Sequence, residues 1–469
     1  MSDTIHAPPD SLLGQLQRGR GLGFLRLIRE PQPVAHRLLT HCILQDPRID
    51  YQCENRSDYY AELALRVGLP LEPLANRIRE DDGCEEHGLT WKTLRALSRR
   101  GSREAAEILL EDCRTYQDWT HHVESLVSFP DPEVTVRLAG IIESRFPTAI
   151  ALQEALQYAF LDKPEWQVLG NHSARIREIV SSPNHRATRR EQADAFRFQF
   201  TSLDLPGLLD FADNWKRIFG LRRFIEAAVS PDDLGFLQSQ VVLEHRERAV
   251  GALWALAKIA DPSLFGWLRD IYRANADLWR PLRCALQDAM VALPAQTVLP
   301  LAREWFDHDD SNLSDMADAL MKVHAAPEDL SLLRSALQNS LGNEPETSYR
   351  ICDLATAMER LEGVGPVPEL GLAFETALHS CARWYLVPAM RSTHPESFQD
   401  RFSEECLWDC EDDVQLAGAE VVSLGALGVP PRLKELSAAP WVDSEVRETA
   451  SLRLKETSTQ TDAPGIGPG

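Results

Sequence analysis

Few groups of residues in this sequence have the types and spacing that metal binding requires. Cys406 and Cys410 stand four residues apart among carboxylates, so both thiols would share one face of a helix. Neither has a histidine close by in the sequence, and buried cysteines are common in protein cores, which favours a structural role. The other groups of ligand types, residues 121–124 and 307–310, are more typical of loops and helix caps. The sequence therefore predicts no metal site and no cofactor.

Motifs of the common enzyme classes are also missing. The sequence contains neither Gly-x-Ser-x-Gly nor a glycine-rich loop ending in Gly-Lys-Ser/Thr. The glycine-rich segment 19–23 follows a helix-like segment rather than a strand, which is typical of a turn and not of a dinucleotide site. We expect no catalytic residue, and we expect that the protein is not an enzyme.

The charge distribution gives a candidate for a binding surface. The chain carries 49 Lys+Arg against 71 Asp+Glu, a net charge of −22, which disfavours binding to a nucleic acid. Residues 173–223 nevertheless carry ten basic against six acidic residues, with aromatic residues between them. This basic zone predicts contact with a partner; the alternative, which we favour, is that its arginines pair with carboxylates of the same chain. The candidate partner-binding residues are Arg186, Arg189, Arg190, Arg222 and Arg223.

Helical periodicity dominates the elements that would position these residues. Between residues 246 and 260, small and apolar side chains recur at steps of three and four, which predicts a helix with one buried face. Asp261-Pro262 then supplies a cap and a first-turn proline, and a second apolar stripe follows from Leu264 to Tyr272. The segment around Asp131-Pro132 has the same design. Each of these segments predicts two helices joined by a tight turn.

The helix pairs recur along the chain. Approximately equivalent positions of successive pairs are Leu256, Met290, Leu320, Met358, Val422 and Leu452. The separations between them are 34, 30, 38, 64 and 30 residues. An irregular period of this length, carried by helix pairs, is typical of a solenoid. The sequence therefore predicts an all-α fold, an α-solenoid of about ten to thirteen irregular antiparallel helix pairs.

Three segments share a fuller pattern: RERAVGALWALAKIADPSL at 246–264, DPEVTVRLA at 131–139 and DSEVRETA at 443–450. They resemble the HEAT-repeat family, particularly its bacterial form, which is similar to the repeats of phycobilisome lyases. The resemblance implies a HEAT-like superhelix in which a turn aspartate and an arginine of the second helix form a polar ladder between adjacent repeats. In this chain, the ladder residues implied by the resemblance are Asp131, Arg137, Asp443 and Arg447.

The periodicity also predicts an order of segments along the chain. We expect a disordered N-terminus (1–10), an N-terminal helical-repeat arm (11–161), an irregular joint or insertion (162–205), a C-terminal HEAT-like arm (206–455) and a disordered tail (456–469). The first residues lack the cationic and apolar stretches of a signal peptide, and nine scattered cysteines suit a reducing compartment. We expect a cytoplasmic protein without a membrane-spanning segment.

These observations predict an interaction scaffold or adaptor that presents a long groove to one or more protein partners. Two alternatives stay open. A bilin-lyase-like cofactor chaperone is implied by the resemblance alone, although eleven tryptophans could offer a stacking surface. A helical-repeat enzyme acting on nucleic acid is supported only by the basic zone.

Overall fold

The computed structural model describes residues 6–80, 88–115, 119–156, 163–181, 200–201, 203–214, 218–275, 278–344, 347–361 and 363–461. All regular secondary structure within these ranges is helical, which confirms the prediction of an all-α fold.

Most helices are short and follow one another through tight turns. Those of the N-terminal part are α1 (Leu12–Gln17), α2 (Gly21–Leu27), α3 (Gln32–Leu44), α4 (Ser57–Val67), α5 (Glu72–Arg79), α6 (Gly88–Arg99), α7 (Arg103–Asp112), α8 (Val123–Val127), α9 (Pro132–Arg145), α10 (Ala149–Ala155), α11 (Pro164–Gly170) and α12 (Ala174–Ser181). Those of the middle part are α13 (Leu205–Asn214), α14 (Arg222–Ala228), α15 (Leu234–Gln240), α16 (Arg246–Ile259), α17 (Phe265–Ala274), α18 (Arg280–Val291), α19 (Ala295–Trp305), α20 (Ser311–His324) and α21 (Leu330–Gly342). Those of the C-terminal part are α22 (Ser348–Glu359), α23 (Pro368–Thr376), α24 (Ala382–Thr393), α25 (Pro395–Arg401), α26 (Ser403–Cys406), α27 (Asp412–Val421), α28 (Val429–Ala438) and α29 (Ser444–Thr461).

Aspartate caps begin several of these helices where the sequence predicts them. The Asp131 side chain accepts a hydrogen bond from the Glu133 amide at the start of α9, and Pro132 occupies the first turn. Helix α16 ends at Ile259, where Ala260 has a φ of 55°, and Asp261 accepts from the Ser263 amide at the start of a short 3₁₀ turn that leads into α17. The predicted turn at Asp261-Pro262, with a helix on each side, is confirmed.

The helices form two units that do not follow chain order. Unit 1 contains residues 1–186, 340–352 and 365–469, and unit 2 contains residues 187–339 and 353–364. The C-terminal segment therefore belongs with the N-terminal segment, an arrangement that the periodicity does not reveal. Within the predicted joint, α11 and α12 are regular helices, while residues 182–199 lie outside the described ranges.

Both ends of the chain contribute to the core of unit 1. Leu16 and Phe24 of the N-terminal segment belong to the same cluster of buried apolar side chains as Leu407 and Val446 of the C-terminal segment. Fully burying one such side chain stabilises a fold by about 1.5–3 kcal/mol. The hydrophobic effect thus joins segments that are almost four hundred residues apart.

The described residues also extend into both predicted disordered ends. The Nε2 atom of His6 lies 2.9 Å from the Pro47 carbonyl oxygen. At the other end, α29 continues to Thr461, and residues 462–469 are outside the described part of the chain.

Candidate functional site

A buried polar centre lies within unit 1, where three segments of the chain meet. The loop between α3 and α4 supplies Cys53, Glu54 and Arg56. The turn between α23 and α24 supplies the second segment, residues 379–381. The third segment, residues 409–411, lies just before α27. We call these three segments, together with Arg383 in the first turn of α24, the polar centre.

Glu54 links the first two segments. Its carboxylate accepts hydrogen bonds from the Asp50 amide at 2.9 Å, and from the amide and hydroxyl of Ser380 at 3.0 and 2.9 Å. It also pairs with Arg56, and both side chains are fully buried. Burial alone would raise the pKa of Glu54, but the adjacent Arg56 guanidinium and the hydrogen bonds hold it below its usual value. Glu54 therefore remains ionised and holds the turn that carries Ser380.

Glu411 binds its proton more tightly than Glu54 does. Burial raises the pKa of Glu411 to about 7. The Ser380 hydroxyl lies within hydrogen-bond distance of both carboxyl groups but carries a single proton. A protonated Glu411 donates to the Ser380 oxygen and leaves the Ser380 proton for Glu54. The other Glu411 oxygen accepts from the Trp384 indole at 3.1 Å.

Arg383 links the third segment of the polar centre, residues 409–411, to the N-terminal segment of the chain. Its guanidinium forms two hydrogen bonds of 2.9 and 3.0 Å to Asp409, with both side chains fully buried, and it donates to the Arg18 carbonyl oxygen at 2.9 Å. The next residue, Gly19, has a φ of +67°, and a Cβ atom there would clash with Cys410. Glycine therefore permits both the left-handed backbone and the close approach of Cys410.

Three potential metal ligands lie at the edge of the polar centre. The ligand atoms of Cys53, His379 and Cys381 are all within 4.8 Å of one another, and the Cys53 sulfur is 3.4 Å from His379 Nε2. His379 and Cys381 are buried, whereas Cys53 is half-buried. Two sulfurs and one imidazole nitrogen form the type of donor set that prefers Zn²⁺ or another soft metal to Mg²⁺ or Ca²⁺.

The surroundings of this cluster keep its groups neutral. Burial lowers the pKa of His379 and raises that of both the Cys53 and the Cys381 thiols. The Tyr349 ring lies 5.2 Å from the His379 ring, and the Tyr349 hydroxyl donates to Asp50. A thiol with a raised pKa is a poor nucleophile, so the arrangement does not favour cysteine-based nucleophilic catalysis.

The basic zone is only partly described. Arg186, Arg189 and Arg190 lie outside the described residues. Arg222 pairs with Glu226 and with Asp288, each at 2.7 Å, and its guanidinium lies over the Trp254 ring. Arg223 is exposed and lies over the Phe224 ring. Arg222 therefore has the intramolecular partners that the alternative interpretation expects.

The residues of the implied ladder lie at helix starts and on helix faces. Asp131 pairs with Arg103, and Arg137 forms two hydrogen bonds of 2.6 and 2.7 Å to Glu107 of α7. The Asp443 side chain caps α29 through the Glu445 amide at 2.7 Å. Arg447 follows in the first turn of the same helix.

Cys406 and Cys410, the cysteines spaced four residues apart in the sequence, do not belong to a cluster of metal ligands in the part of the chain that the structure describes. Cys406 and Cys410 are buried. Sequence reasoning missed Cys53, His379 and Cys381, because 326 residues separate Cys53 from His379. Only the local His-x-Cys spacing at 379–381 could have drawn attention to them.

No family model and no curated protein matches the chain. Within the described ranges, every helix is too short or too polar to cross a lipid bilayer.

Proposed function

We propose that the protein is a HEAT-like helical-repeat scaffold that binds one or more proteins. A solenoid exposes a long surface that is well suited to binding another chain, and it needs no enclosed cavity to do so.

The observation that carries this proposal is a series of polar contacts at separations of about thirty residues, either between two helices or between a helix and the turn that precedes a later helix. Such contacts are the expected consequence of stacked repeats, because equivalent positions of neighbouring repeats face each other. Unit 1 contains Arg137–Glu107 at 2.6 Å, Ser173–Glu143 at 2.7 Å and Arg391–Glu420 at 2.5 Å. Unit 2 contains Arg283–Asn312, Arg303–Asp329 and Lys322–Asp353, each at 2.6 Å.

The charge of the chain favours a particular class of partner. With a net charge of −22, the surface attracts proteins with basic or polar surfaces and repels acidic ones. An association of this kind weakens as the salt concentration rises.

Affinity purification of the full chain from its native cell, after chemical crosslinking, tests this proposal. The expected result is a partner whose crosslinks fall on the exposed faces of successive helices and whose recovery decreases at high salt. Recovery of the chain alone at physiological salt would contradict a scaffold role.

The same purification with Arg186, Arg189 and Arg190 changed to glutamate tests the basic zone. Loss of the partner would assign the docking surface to this zone. An unchanged partner would exclude the basic zone while leaving the scaffold proposal intact.

A further inference from the structure

The cluster of Cys53, His379 and Cys381 has the geometry of a metal site. In a tetrahedral zinc site, bond lengths of about 2.3 Å to sulfur and about 2.0 Å to nitrogen place a sulfur and a nitrogen ligand roughly 3.5 Å apart. The observed separation of 3.4 Å between Cys53 Sγ and His379 Nε2 agrees with this value. The Cys381 ligand atom is within 4.8 Å of both, so a small side-chain rotation would complete three corners of a tetrahedron.

A second observation concerns the imidazole itself. His379 is 1% exposed, and its Nδ1 atom has no hydrogen-bond partner among the described residues. Leaving a buried polar atom without a partner is unfavourable. Coordination through Nε2, the nitrogen that faces the Cys53 sulfur, would leave Nδ1 to carry the proton, and the metal would then fix the orientation of the ring, for which Nδ1 supplies no hydrogen bond among the described residues.

The charges around the cluster also suit a divalent cation. Two thiolates and a neutral imidazole balance the two positive charges of Zn²⁺, so the bound site is neutral as a whole. The neighbouring Glu54 and Arg56 already form a neutral buried pair. Asp50 lies next to the cluster, with its carbonyl oxygen 4.0 Å from the sulfur of Cys53, the half-buried member.

We propose that Cys53, His379 and Cys381 bind a Zn²⁺ ion, with a solvent water in the fourth position on the half-exposed side of Cys53. The ligands come from both the N-terminal and the C-terminal segments of unit 1. The metal would therefore join segments 326 residues apart along the chain. This inference goes beyond the scaffold proposal and does not depend on it.

Metal analysis of the full-length protein tests the site. Protein purified under reducing conditions and then supplied with Zn²⁺ is expected to retain about one zinc ion per chain, as a single site of this type would. Replacement of the zinc by Co²⁺ is expected to give the visible and near-ultraviolet absorption of a thiolate-bound tetrahedral cobalt ion. Loss of one ligand is expected to weaken metal binding more than about 100-fold.

Three variants assign the metal to these residues. Cys381→Ser and His379→Gln remove buried ligands, while Cys53→Ser changes a half-buried side chain and so tests the site even if the other two variants unfold. Cys284→Ser is the matched control, because Cys284 is an exposed cysteine in unit 2. The control is expected to keep the metal, and Cys53→Ser is expected to lose it with an unchanged circular dichroism spectrum.

Three results would overturn the proposal. The first is folded wild-type protein that binds neither zinc nor cobalt, and the second is folded Cys53→Ser protein that retains the metal with wild-type affinity. The third is a Cys53–Cys381 disulfide in protein whose thiols were blocked at cell lysis, since that bond would occupy both sulfurs.

Discussion

Two buried ion pairs of unit 1 contrast with an exposed ion pair of unit 2. In unit 1, the pairs Arg56–Glu54 and Arg383–Asp409 are fully buried, and their hydrogen bonds reach segments more than three hundred residues away. In unit 2, the pair Arg222–Asp288 is nearly half-exposed on both sides and connects helices 66 residues apart.

This difference has an energetic consequence. An exposed ion pair stabilises a protein by about 0–1 kcal/mol, whereas breaking a buried pair by removing one partner costs about 3–5 kcal/mol. The exposed Arg222–Asp288 pair of unit 2 is therefore expected to contribute little to stability. In unit 1, the buried arginines also donate to distant backbone, Arg56 to the Leu378 carbonyl oxygen and Arg383 to the Arg18 carbonyl oxygen, so these hydrogen bonds form only when the distant segments come together.

The largest effect is expected at Arg383. Arg383→Ala leaves the buried Asp409 carboxylate without its partner and removes the donor to the Arg18 carbonyl oxygen. We expect the free energy of unfolding, measured by urea denaturation, to fall by about 4 kcal/mol.

A double variant separates the two causes of this loss. Arg383→Met combined with Asp409→Leu removes both charges and fills a similar volume, so it is expected to recover more than half of the lost stability. A double variant as unstable as Arg383→Ala would show that the charge of Asp409 is not the cause.

A medium effect, dependent on pH, is expected at Glu411. Its pKa of about 7 in the folded protein lies above the ordinary value of 4.5. Its contribution to stability is therefore complete below pH 4.5 and is lost as the pH rises through about 7. Glu411→Gln cannot ionise, so relative to the wild type it is expected to gain on the order of 2 kcal/mol between pH 5 and pH 8. Parallel urea unfolding series at the two pH values measure this gain, and identical pH dependence of the two proteins would contradict it.

The smallest effect is expected at Arg222 in unit 2. Arg222→Ala removes two exposed ion pairs and a contact with the Trp254 ring. The expected loss of unfolding free energy is less than about 1 kcal/mol, and it should decrease further in high salt. A loss as large as that at Arg383 would remove the distinction between the two units.

The sequence predicted the local structure better than the long-range structure. Asp131 and Asp261 cap helices where predicted, since a cap and an apolar period act within one or two turns of helix. The helical fold follows from the same local signals. The predicted order of arms did not anticipate that residues 365–469 belong with residues 1–186, because no local pattern encodes that contact.

The polar centre was beyond sequence reasoning for the same reason. Arg383 and Asp409 look like ordinary surface charges in the sequence, and their burial depends on the Arg18–Gly19 backbone, which is more than 360 residues away. Cys53 is isolated in the sequence and becomes a candidate ligand only when the turn at 379–381 packs beside it.

Hydrogen exchange of the wild type and Arg383→Ala, followed by mass spectrometry, tests most directly whether the two ends of the chain form one cooperative unit. In the wild type, the Cys410 amide donates to the Gly19 carbonyl oxygen at 3.0 Å and the Ser380 amide donates to Glu54 at 3.0 Å. We predict that Arg383→Ala accelerates exchange in peptides around residues 16–20 as well as around residues 378–383 and 409–411, while peptides of α16 and α18 stay unchanged. Acceleration confined to the C-terminal peptides would contradict the account.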